Sequence, residues 1–149
     1  MNKPSLLLCC ALLCHSSVVL AADPLGGMRL LPGYKHEPLQ GIDSIVGRVQ
    51  KQDGLLITYE IGAVTKPGAP RLGGGFTDRP KNTPKEQLRW YREQVVAGQP
   101  VHLAYRKDDQ LMVSFPEKGA NFSVKVTDAE QLADALLMIL TYPDKPAEK

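Results

Sequence analysis

Three runs in the second half of the chain, PVHLAYR, QLMVSF and NFSVKV, alternate apolar and polar side chains almost residue by residue. Because successive side chains of a strand point to opposite faces, this period of two writes three strands with one apolar and one polar face. Val101, Leu103 and Tyr105 fall inward, as do Leu111, Val113 and Phe115, and then Phe122, Val124 and Val126. Asp108-Asp109 and Lys118-Gly119 between the runs supply turn chemistry, so the spacing predicts an antiparallel meander covered on one side only.

Upstream, IDSIVGRVQKQDGLLITYEIG reads as a hairpin around Asp53-Gly54, with Ile45 and Val49 on one face and Leu55, Ile57, Tyr59 and Ile61 alternating on the return. Two segments carry helix punctuation. In TPKEQLRWYREQVVAG, Thr83 stands as N-cap, Pro84 at the first helical position, Glu86 closes a T-x-x-E box, and Gly98 follows the end. Leu88, Tyr91 and Val95 then share one helical face. In TDAEQLADALLMILTY, Thr127 and Glu130 repeat the box, Leu132, Leu136, Ile139 and Leu140 form a stripe, Leu137 and Met138 fall off it, and Tyr142-Pro143 ends it.

The expected fold class is therefore α+β: a single layer of about five antiparallel strands, hairpin plus three-stranded meander, with two helices packed on one face in the order ββ-α-βββ-α. Residues 23–41 read as an N-terminal surface arm, 42–142 as a single domain interrupted by a long Gly/Pro-rich loop at 63–82, and 143–149 as a disordered tail.

The first 22 residues read as a cleaved signal peptide: Lys3, then an apolar run from Leu6 to Leu13, then small residues at Ala21 and Ala22. His15, Ser16 and Ser17 break the run before it could span a bilayer, so no transmembrane segment is expected after cleavage. Cys9, Cys10 and Cys14 all lie in this segment, preceded by Leu8, Cys9 and Leu13 rather than by the small residue that lipid attachment wants. The remaining chain, roughly 125 residues and enough for one core, is expected to be cysteine-free and to reach a bacterial periplasm or the medium. Loss of Lys3 also takes one charge from a formal net of +2, which leaves no general basic field for nucleic acid.

PRLGGGFTDRP, inside the long loop, places Gly73, Gly74 and Gly75 between Arg71 and Arg79. A Walker loop needs Lys and then Ser or Thr after its last glycine, and Phe76-Thr77 stand there instead. A dinucleotide fingerprint would need glycine at Asp78 and a helix directly after it. What survives is a loop whose Lys66, Arg71, Arg79 and Lys81 outnumber Asp78 and suit an acidic surface. Trp90, set opposite the Leu88 and Val95 side of the expected helix, is either an interface anchor or covered by the arm from Met28 to Leu31.

The catalytic inventory is thin. His36 and His102 are the histidines beyond the signal segment, no H-E-x-x-H or G-x-S-x-G occurs, and no cofactor, metal or catalytic residue is assigned. Ser44 or Ser114 with His102 and Asp43, or Asp43 with Glu60 across the hairpin, can be drawn on paper, as such sets can in any chain of this size. His102 reads as a solvated outward position and His36 as a polar member of the arm. The expectation is an exported soluble binding or accessory protein without catalytic activity, recognising an anionic envelope polymer or a protein partner through Arg71, Gly73, Gly74, Gly75, Arg79 and Trp90. The alternatives are a small hydrolase of envelope polymers and a structural subunit that buries its C-terminal helix in an envelope assembly.

Overall fold

The computed structural model describes residues 25–62 and 77–142; residues 1–24, 63–76 and 143–149 lie outside them. Seven antiparallel strands form one sheet: β1 Lys35–Leu39, β2 Ser44–Gln50, β3 Leu56–Gly62, β4 Leu88–Val96, β5 Gln99–Arg106, β6 Gln110–Phe115 and β7 Ala120–Lys125. Among the described residues a single α-helix, α1 Ala129–Ile139, follows. The spatial order β1-β2-β3-β7-β6-β5-β4 makes two meanders, joined where β3 pairs with β7 from Ile57 opposite Val124 to Ile61 opposite Ala120. The expected five strands and two helices are thus corrected to seven strands and one helix.

Two segments account for the difference. Within the expected surface arm, KHEPL pairs with β2 as an edge strand, held by Arg48 donating to both carboxylate oxygens of Glu37 at 2.9 and 3.1 Å. Pro38 is tolerated because an edge strand has one side with no ladder to supply. The second segment is the expected first helix. Its start signals close only a 3-10 turn, Lys85–Gln87, with Gln87 N–H bonded to Pro84 O at 2.9 Å. Pro84 itself is extended (φ −55°, ψ 136°), and the Thr83 hydroxyl turns back to Arg79 O at 2.7 Å instead of capping forward. From Leu88 the chain runs as β4 against β5, where the aromatic and β-branched Trp90, Tyr91, Val95 and Val96 fit a pleated surface.

Gly98, expected as a helix stop, belongs to a two-residue hairpin turn with Ala97. Both have positive φ, 49° and 76°, as a type I′ turn requires. Ala tolerates that region poorly, so Ala97→Asn is expected to stabilise the protein by about 1 kcal/mol in urea unfolding. In a helix the same change would destabilise, so the sign of the shift tests the strand assignment.

The core lies on one face of the sheet. Register places Tyr59, Phe122, Val113 and Leu103 in one row across β3, β7, β6 and β5, and Ile57, Val124, Leu111, Tyr105 and Trp90 in the next. Over them packs α1, which buries Ala135, Met138 and Ile139 and leaves Leu137 exposed, with Tyr142 beyond its end against Phe115 and Phe122. The capping box is shifted by one residue from the expected one. Asp128 caps and accepts from Gln131 N–H at 2.8 Å, while the Gln131 side chain reaches back to Thr127 N–H at 2.9 Å. Residues 25–34 complete the cover: Leu25 is buried, Arg29 N–H bonds Thr141 Oγ1, and Tyr34 reaches Asp134.

Candidate functional site

The opposite face carries the polar members of the same strands. Residues paired directly across an antiparallel ladder share a face, so Glu60, Asn121, Ser114, His102 and Glu93 form a row across β3, β7, β6, β5 and β4. Burial along this row is uneven: Ser114 is 1% exposed and the His102 side chain 13%, so His102 is not the solvated position its alternation suggested.

At the β4 end, Tyr91 lies between two partners. Its O–H donates to Glu93 Oε1 at 2.7 Å, and His102 Nδ1 lies 2.7 Å from the same phenol oxygen. A phenol has one proton, already committed to Glu93, so His102 must donate through Nδ1. The two rings stack at 13° with centroids 6.2 Å apart. Burial, then the hydrogen bond to Glu93 and its charge, push the Tyr91 phenol well above its ordinary range, and the Tyr91 hydrogen bond draws the Glu93 carboxyl below its own. Toward the sheet centre, the Ser114 hydroxyl donates to Asn121 Oδ1, and Ser44 Oγ donates to Glu60 Oε1 at 3.3 Å. The row is a set of mutually paired groups: the buried Ser114 hydroxyl is spent on an amide, and the His102 Nδ1 proton on a phenol.

Residues 77–83 lie across this row. Pro80 is fully buried, Asn82 N–H bonds Asp78 O at 2.8 Å, and Arg79 stands 3.8 Å from Glu60 on β3. At the other end, Asp78 acts electrostatically on Tyr91 and Lys81 on Glu93, both on β4. The long loop therefore returns to the sheet on a fixed base with Arg79 and Lys81 exposed on it. Arg71, Gly73, Gly74 and Gly75 lie outside the described residues. Trp90 sits on the helix-covered face, half-buried, its ring 5.7 Å from that of Tyr105. Arg79 and Trp90 thus belong to opposite faces and do not form one site.

The sequence reading missed Tyr91 and Glu93, because a helix would have separated them from His102. The alternation of the later strands did place His102, Ser114 and Asn121 outward, and register then closes the row. An open groove of about 420 Å³ lies between the β2–β3 turn and the start of α1, lined by Thr58, Gln110, Ser123, Lys125, Thr127 and Gln131. Its polar groups bond one another, Gln110 Nε2 to Ser123 Oγ at 2.7 Å and Thr58 Oγ1 to Ser123 O at 3.1 Å. Among the described residues no cluster of three or more His, Cys, Asp and Glu side chains could hold a metal, and no helix is long and apolar enough to cross a membrane. Compared with known proteins, the chain matches no family model, no curated protein and no solved structure.

Proposed function

We propose that this chain is an exported binding or accessory protein without catalytic activity, and that it recognises an anionic surface, an envelope polymer or the acidic patch of a protein partner. The observation that carries the reading is the return of the loop: in residues 77–83 Pro80 is buried and Arg79 stands beside Glu60 of β3, while the cations Arg79 and Lys81 stay exposed. A fastened base reduces the ordering cost of binding, and exposed cations give salt-dependent attraction to an acidic surface. The polar row beneath supports binding over hydrolysis, since its serine is spent on Asn121 and its histidine Nδ1 on Tyr91, and the serine is shut off from solvent. Arg71 extends the same basic character along the loop.

The test replaces Arg71 and Arg79 together with Ala. Because the Arg79–Glu60 pair is long and well exposed, its loss should cost at most about 1 kcal/mol and leave the melting temperature nearly unchanged. Retention on dextran sulfate and co-sedimentation with phosphatidylglycerol vesicles should both be measured at low and raised salt. Wild-type capture by at least one of these, weakened by salt and by the double substitution, is the expected result. No capture at low salt, or capture indifferent to the two arginines, overturns the proposal.

A further inference from the structure

The sheet ends in two edges that differ in chemistry. β1 has five residues, and Pro38 removes a donor from it. β4 has nine residues and no proline, and among the described residues it pairs with β5 only, so its outer row of N–H and C=O groups has no ladder partner among them and offers an edge to another strand. A register shift between Leu88 and Trp90 bends its start, which leaves Tyr91 to Val96 as the regular stretch. Along it, Arg92 projects on the helix-covered side and Glu93 on the other. Arg92 is exposed and has no ion-pair partner among the described residues, and Val95 is 74% exposed.

A second copy of this strand is a poor occupant. Residues opposite each other in an antiparallel pair share a face, so two copies of β4 that overlap over most of this stretch must centre on Arg92, Glu93 or Gln94. The first centre sets Arg92 against Arg92, the second sets Glu93 against Glu93, and the third puts both charges opposite Val96 and Val95. Like charges directly opposed destabilise a ladder, and a charge facing a valine has no partner.

We propose that β4 is a docking edge for an extended segment of a partner protein, added antiparallel, with an acidic residue opposite Arg92, a basic residue opposite Glu93, and apolar residues opposite Tyr91 and Val95. Backbone hydrogen bonds supply the attachment, and the alternating side chains supply selection. Read from its own N-terminus, the partner strand carries the basic residue immediately before the acidic one. The docking element is the outer backbone of β4 and not the exposed cations of the returning loop; Lys81 of that loop acts on Glu93, but the proposal does not depend on what the loop binds.

Trp90 makes this testable, because it is the single tryptophan in the chain and sits at the head of the edge. The probe is a short capped peptide of Val, Thr and Ile around a central Lys-Glu pair, titrated against the whole protein and followed by tryptophan emission and amide hydrogen exchange. Binding should shift the emission, protect alternate amides between Tyr91 and Val96, and be abolished by N-methylation of alternate peptide nitrogens. Arg92→Glu should weaken the Lys-Glu peptide about twofold to fivefold and favour a Lys-Lys peptide in its place, the effect expected of one cross-strand charge pair. Melting temperatures of the variant and wild type compared side by side exclude a folding defect. Absence of binding, protection elsewhere than β4, indifference to N-methylation or to the charge change, or sedimentation of the wild type as a β4-paired dimer would each overturn the proposal.

Discussion

Phe122→Ala is expected to remove about 3 to 5 kcal/mol of stability and to lower the melting temperature by on the order of 15 °C. Phe122 is 2% exposed on β7, the strand at which the two meanders meet. Its ring lies 6.3 Å from Tyr59 on β3, 5.9 Å from Phe115 in an edge-on contact at 88°, and 5.1 Å from Tyr142 beyond α1. One side chain therefore joins both halves of the sheet to the helical cover. Truncation leaves a cavity bordered by three large rings that are themselves pinned, so collapse into it is limited, and the cost falls near the top of the range for such changes. With total stability of a domain this size at about 5 to 15 kcal/mol, the variant should be close to unfolding in mild urea. Phe122→Leu, which keeps most of the volume, should cost far less, and Leu137→Ala on the exposed side of α1 should stay within about 0.5 kcal/mol. A Phe122→Ala variant within about 1 kcal/mol of wild type would mean that the cover does not pack where these rings meet.

The parts of the fold legible in the sequence are those buried on one face. In β5, β6, β7 and β3, burial imposes alternation, and the alternation can be read back. Edge strands lack that constraint. β4 is exposed on most of its length, so Leu88, Tyr91 and Val95 can fall at helical spacing without contradiction, and the Thr83-Pro84-Glu86 start signals, which equally announce a helix, close only a 3-10 turn. What makes LRWYREQVV a strand is its pairing with β5, a contact between segments that no local window contains. β1 is hidden for the same reason: Lys35 and Leu39 acquire their places from Gln50 and Val46. At the candidate site, strand alternation turned His102, Ser114 and Asn121 outward, but only register makes them neighbours, and Tyr91 and Glu93 joined them once β4 was a strand. The helix cap shows the resolution limit of a motif, since Thr127 and Asp128 are adjacent, both are good caps, and the choice rests on which one leaves Gln131 at the third helical position.

Gly47→Val is expected to cost about 3 kcal/mol and Gly47→Ala about 2, although glycine inside a strand is ordinarily a weakness that a side chain relieves. Gly47 stands directly opposite Tyr59 on the covered face. A Cβ built there falls against the Tyr59 hydroxyl, 2.5 Å from its Cζ and 2.7 Å from Cε1, well inside any real contact. The ring cannot swing aside cheaply. It is 3% exposed, tilted against Phe122, and its hydroxyl is 2.6 Å from His36 Nε2 on β1. Making room means either breaking the His36 bond, which loosens the edge strand, or displacing Phe122, which disturbs the centre of the core. The sign of the Ala substitution decides the matter: free of the clash, Ala would stabilise the strand by about 0.5 to 1 kcal/mol, whereas against Tyr59 it must destabilise. Tyr59→Leu, which shortens the obstructing side chain, should therefore cost less in the Gly47→Ala background than in the wild type, a coupling that a double-mutant cycle in urea measures directly. Simple additivity of the two changes would mean that Gly47 and Tyr59 do not meet across β2 and β3, and the register of that pair would have to be redrawn.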